Sequence, residues 1–121
     1  MSYEARLDLV HKAILSGQIQ WKPACLERLL SQPELKPVRE AFSEKGIKEL
    51  LRDFVGDGNQ LAFREEKGDA WYDWRDPWWY FAIIPVIFQG GLFIKVKLLW
   101  DEGDKDEDAF VEIVSIHEEK A

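Results

Sequence analysis

The chain has one cysteine, Cys25, in 121 residues, so no internal disulfide forms and an oxidising compartment is not implied. It also lacks a long apolar run. The most apolar stretch, Trp78–Phe88, has 11 residues and is broken by Pro85, whereas a spanning helix needs about 20. The start, Met1-Ser2-Tyr3-Glu4-Ala5-Arg6, brings in charge at once with no apolar segment behind it. That does not read as a secretory signal, and the expected setting is soluble and cytoplasmic, without a membrane. Basic residues are few beside acidic ones: Lys and Arg total 16 against 23 Asp and Glu, a formal net charge of -7. Phosphate contacts need basic surface, so this balance argues against a general nucleic-acid binder. A glycine-rich phosphate loop is missing too, since Gly56-Asp57-Gly58 has neither the pattern nor a strand before it.

What is present suffices for one core. Hydrophobic residues make up 46% of the chain, too many for a disordered or low-complexity segment. The charge is uneven. Met1–Gly58 carries nine basic and nine acidic residues, while Asn59–Ala121 carries seven basic and fourteen acidic, so the whole excess lies in the second half. The apolar period changes at the same place. A single domain is expected over 1–121, with a helical half (1–58) and a sheet half (59–121).

In the first half, Leu7, Val10, His11 and Ile14 share a helix face over Tyr3–Ser16, with Ser2 as N-cap and Gly17 as stop. Pro23 suits the first position of a second helix with Leu26, Leu29 and Leu30 as its stripe, ending before Pro33. Pro37 suits another start, followed by Val38, Ala41 and Phe42. Lys45–Val55 is the clearest helix, with Ile47, Leu50, Leu51, Phe54 and Val55 on one face and Gly56 as stop.

In the second half, Gln60–Arg64 reads as a short strand and Trp78–Gln89 as a strand apolar on both faces, with Pro85 at a bulge or edge. Gly90-Gly91 is a two-residue hairpin signal. It pairs Ile87 with Ile94 and Ile83 with Leu98, which puts the odd-numbered face of the first strand in the core. Leu92, Ile94, Val96, Leu98 and Trp100 form the buried face of the next strand, and Ala109–His117 is the last. The expected class is α+β: N-terminal helices packed on a C-terminal antiparallel sheet of three or four strands.

Two segments carry candidate sites. In Trp71-Tyr72-Asp73-Trp74-Arg75-Asp76-Pro77-Trp78-Trp79-Tyr80-Phe81, seven of eleven residues are aromatic. Such rings form core, shield a sheet end, anchor a protein interface or stack on a sugar or base. Asp73 and Asp76 among them disfavour phosphate. The second segment, Asp101–Asp108, spaces Asp104, Asp106 and Asp108 like a calcium loop. Ala109 then stands where glycine is needed and Ser115 where a bidentate Glu is needed, so the loop fails as a calcium site. It reads either as a solvated hairpin loop or as a landing patch for a basic partner. His11 and His117 lie in no metal-ligand spacing, and Cys25 reads as a small buried hydrophobe. No catalytic residue, metal ligand or cofactor is assigned.

Ile19-Gln20-Trp21-Lys22-Pro23-Ala24-Cys25-Leu26-Glu27-Arg28-Leu29-Leu30 resembles the early helix of small toxin-like bacterial proteins in the neighbourhood of the RelE and BrnT mRNA interferases. Phe110-Val111-Glu112-Ile113-Val114-Ser115-Ile116-His117 is similar to their closing strand. The resemblance covers 20 residues in two pieces. It implies a toxin-like fold and cleavage of RNA. Those ribonucleases are usually basic, and often carry a histidine just before the Leu-Glu-Arg run, where this chain has Ala24 and Cys25. The resemblance therefore implies a member that has lost the activity.

The leading expectation is a small acidic protein-binding module, inhibitor- or antitoxin-like. It docks a protein through Trp71, Tyr72, Trp74, Arg75 and Trp78, helped by Asp104, Asp106 and Asp108. The alternative is a divergent toxin-like ribonuclease with weak or lost activity, for which Arg64, Lys95 and Lys97 supply some charge. A homo-oligomer built on a sheet edge or the tryptophan patch is the third reading.

Overall fold

A computed structural model describes residues 2–65 and 78–119. In order, the elements are α1 (Tyr3–Leu15), β1 (Ile19–Trp21), α2 (Pro23–Ser31), a 3-10 turn (Pro33–Leu35), α3 (Lys36–Ala41), α4 (Glu44–Gly56), β2 (Ala62–Glu65), β3 (Trp78–Ile84), β4 (Leu92–Leu99), a second 3-10 turn (Asp106–Asp108) and β5 (Phe110–Glu118). The class is α+β, as expected. The sheet differs from expectation: it has five strands in the order β1-β5-β4-β3-β2, and it is mixed. β1 is the addition. Its three residues pair parallel with Val111–Ile113, and a strand so short has no readable period.

The helix ends follow local chemistry. The Ser2 hydroxyl accepts from the Ala5 N–H at 3.3 Å, and the Ser43 hydroxyl from the Gly46 N–H at 2.9 Å. Each satisfies one of the orphan donors of a first turn. α4 does not stop at Gly56 but includes it. The chain leaves the helix where Gly58 donates to the Val55 carbonyl at 3.0 Å. Ile47, Leu51 and Val55 are its buried residues. In α2 the buried pair is Cys25 and Leu29, and Leu30, expected in the stripe, is 56% exposed. One turn separates Cys25 from Leu29, which sets the inward face and turns Leu30 about 100° away from it.

The sheet core is built on β4. Leu92, Ile94, Val96 and Leu98 point inward as expected and are buried. α1 and α4 pack against each other, with α1 also on β4 and β5, α4 on β3 and α2 on β5. The expected register of β3 is overturned. The pairs are Ile84↔Leu92, Ala82↔Ile94 and Tyr80↔Val96. β3 ends at Ile84, because Pro85 has no N–H to give a ladder, and residues 85–91 form a seven-residue connection. The shift is odd in length, so it swaps the faces of the strand. Tyr80, Ala82 and Ile84 are buried, while Ile83, expected in the core, is 45% exposed. A bulge corrects β5 in turn. Lys95 faces Ser115 and Val96 faces Ile113, leaving Val114 as the extra residue. Ile113 and Ile116, three apart, thus both reach the core.

Gly91 has φ +87°, and a Cβ there would meet the Ile84 carbonyl oxygen at 2.8 Å. Gly103 has a similar φ, +98°, with open space around it. Gly91→Ala is expected to lower stability by about 2–3 kcal/mol and Gly103→Ala by about 1 kcal/mol, read from urea unfolding midpoints. Equal losses would show that strain alone operates at Gly91.

Candidate functional site

The helices cover only one face of the sheet. On the other, the register sets rings and cations side by side: Arg64 opposite Trp79, Phe81 opposite Lys95, Ile83 opposite Phe93, and Phe93 opposite His117. The Phe81 and Phe93 rings stack at 5.6 Å, and Phe93 stacks on His117 at 4.5 Å and 14°. Arg64 lies over Phe81 at 5.8 Å. The amines of Lys95 and Lys97 lie 4.1 Å and 4.7 Å from the Trp79 ring. Cations over ring faces are attracted by the ring quadrupole, so each lysine is held where its charge is partly met. Lys97 is only 7% exposed, and its amine also donates to the Trp78 carbonyl at 3.4 Å. Leu99 and Phe110 pair at the end of this face, and both are exposed.

Pairing also decides which connections lie together. Glu65 is opposite Trp78, and Leu99 is opposite Phe110. Because β3 and β4 are antiparallel, the β2–β3 and β4–β5 connections leave the sheet from the same end. Trp71, Tyr72, Trp74 and Arg75 lie in the first of these connections, outside the described residues. Trp78 is described and faces the helix side, half-buried, 5.7 Å from the Tyr3 ring and 5.2 Å from Phe63.

The β4–β5 connection holds Asp104, Asp106 and Asp108, all exposed. The Asp104 carboxylate accepts from the Asp101 N–H at 2.9 Å, closing its own turn. The Gln18 amide donates to the Glu107 and Ala109 carbonyls at 2.8 Å and 2.9 Å, tying the loop's base to the α1–β1 connection. The loop is therefore anchored below while its acidic side chains face outward. Among the described residues no group of three His, Cys, Asp or Glu is placed to hold a metal ion.

A cleft of about 210 Å³ between α2 and β5 is lined by Cys25, Arg28, Gln32, Glu34, Ser115 and His117 among others. Burial pushes the Cys25 thiol up, against the opposing pull of Arg28 and Lys22. A protonated buried thiol is a poor nucleophile. Arg28 donates to the Val114 carbonyl at 3.4 Å, which fastens α2 to the edge of β5. The stacked rings of the open face escaped sequence reading. Phe81, Phe93 and His117 are far apart in the chain, and only the β3–β4 and β4–β5 registers bring them together.

His11 has a structural task. Its Nε2 accepts from the Leu61 N–H at 3.1 Å, joining α1 to the start of the sheet half. Only the neutral ring can accept there. Burial lowers its pKa from 6.5, and Asp8 pulls the other way. The unfolded chain therefore takes up the proton before the folded one does. This cost is absent above pH ~6.5 and grows as pH falls through that value toward the lowered one. Thermal melts of the natural chain are expected to drop more between pH 7.5 and pH 5.5 than those of His11→Gln, whose amide oxygen accepts at any pH. Parallel pH profiles would refute the role given to His11.

Comparison with protein-family models, with curated proteins and with solved structures finds no match to this chain.

Proposed function

We propose that the chain is a small acidic protein-binding module, inhibitor- or antitoxin-like, that covers a basic surface on a protein partner. The observation that carries this reading is the sheet register. It brings Glu65 and Trp78, the residues that flank the β2–β3 connection, to the same end of the sheet as the base of the acidic loop. Indole rings bury large area at low entropic cost and are enriched among interface hot spots. Carboxylates on an anchored loop attract a basic partner over a Debye length and set its orientation. The exposed Leu99 and Phe110 link the loop to the open face, so apolar contact and charge adjoin. No described helix is long and apolar enough to cross a membrane. The reading includes a cytoplasmic setting, where a chain with one buried thiol needs no oxidant.

The test is affinity capture from the source cell, followed by purification of the captured protein and direct titration. A partner of basic surface is expected. Trp71→Ala with Trp74→Ala should weaken binding about 30-fold or more. Asp104→Asn, Asp106→Asn and Asp108→Asn together should slow association and flatten its salt dependence. A partner whose binding ignores both sets of changes would sink the reading.

A second reading is a divergent toxin-like ribonuclease with weak or lost activity. It is favoured by Arg64, Lys95 and Lys97 lying with Trp79 and Phe81 on one sheet face, since cations among rings are what a single strand requires. Growth arrest on expression, with cleaved cellular RNA, is its expected result. Normal growth with intact RNA and no RNA retention by the purified chain removes it.

A further inference from the structure

β2 ends the sheet, and no described strand pairs with its outer edge. Its four residues, Ala62–Glu65, are all exposed. A strand bonded on one side turns alternate N–H and C=O groups outward, so β2 offers a short ladder of donors and acceptors that no described strand takes. The Leu61 N–H, just before it, is already taken by His11, so the open edge begins at Ala62.

Beside that edge lies a groove of about 510 Å³ between β2 and α1. Its apolar lining comes from Tyr3 and Leu7 on one side and Leu61 and Phe63 on the other. The Tyr3 and Phe63 rings meet at 4.4 Å and join the two walls. Glu4 and Asp8 are the charged residues of the lining, and both are exposed. They stand one helical turn apart, about 6 Å of rise. Alternate side chains of an extended strand are spaced by about 6.6 Å, a close match.

We propose that this groove takes an extended segment of a partner polypeptide, which adds to β2 as a sixth strand and carries lysine or arginine at alternate positions. The open edge supplies main-chain bonds, and the groove selects side chains. Two exposed carboxylates that no described lysine or arginine meets in an ion pair select positive ones and repel a nucleic-acid backbone. This surface is built from α1 and β2, and the inference does not rest on the function proposed above.

The probe is an N-acetylated hexapeptide alternating lysine and valine, titrated into the full chain and followed by amide NMR shifts. Saturable binding below about 1 mM is expected, with shifts centred on residues 61–65 and on the groove side of α1. Glu4→Gln with Asp8→Asn should weaken it about fivefold or more, and a hexapeptide alternating glutamate and valine should not bind. N-methylation of alternate peptide amides should abolish binding, because it blocks strand pairing; this arm uses the unaltered chain and is free of any folding effect of the substitutions. The proposal fails if no saturable binding occurs, if the shifts centre on residues 101–108, or if N-methylation makes no difference. It also fails if light scattering and the NMR spectrum show a dimer already paired through β2, which would give the groove to a second copy of the chain.

Discussion

Strand β4 carries Leu92, Ile94, Val96 and Leu98 on one face, and the rest of the molecule is arranged to keep that face dry. It lies between β3 and β5, so its inward row meets Tyr80, Ala82 and Ile84 on one side and Val111, Ile113 and Ile116 on the other. Each aliphatic side chain buried in this way contributes ~1.5–3 kcal/mol. α1 supplies Leu9, Val10, Ala13 and Ile14 against it, and α4 supplies Ile47, Leu51 and Val55. The β5 bulge belongs to the same constraint. Without Val114 as an extra residue, strict alternation would turn either Ile113 or Ile116 away from the core.

One-sided cover has a cost on the opposite face. Strands of period two put half their side chains there, and no described helix shields them. The chain fills that face with rings and long cations rather than with short polar groups. Phe81, Phe93 and His117 stack across three strands, and Lys95 and Lys97 lie on Trp79. Aliphatic stems cover apolar surface while the charged ends find ring faces. Such a face holds together within the monomer, with Lys97 buried and Trp79, Phe81, Phe93 and Lys95 half-buried. Its junction with the acidic loop at Leu99 and Phe110 is where the carboxylates of Asp101–Asp108 adjoin exposed apolar side chains.

Much of the fold was legible in the residues, and the limits have physical causes. Ser2 announces a helix start because a cap acts within one turn. The inward row of β4 follows from alternation within the strand. Leu30 misled because the inward face of α2 is the Cys25–Leu29 row, and the next residue along lies about 100° around the helix from it. Gly90-Gly91 misled more seriously. It reads as a tight turn, but Pro85 stops β3 five residues earlier, and every pairing derived from a two-residue loop changes face. Of the candidate site, the residue types of both segments were visible. That the β2–β3 and β4–β5 connections leave the sheet at one end was not, nor was the groove beside β2, because each depends on which strands are neighbours.

By itself the sequence determined where helices begin, which rows turn inward on α4 and β4, that one thiol is buried, and that the negative charge lies in the second half. These are matters of spacing within a few residues, and local sterics and hydrogen bonding decide them. Only the tertiary structure decided the strand order, the parallel place of β1 beside β5, the face of β3 and the meeting of Phe81, Phe93 and His117. Those depend on pairing between residues distant in the chain, where a shift by one residue exchanges inside for outside.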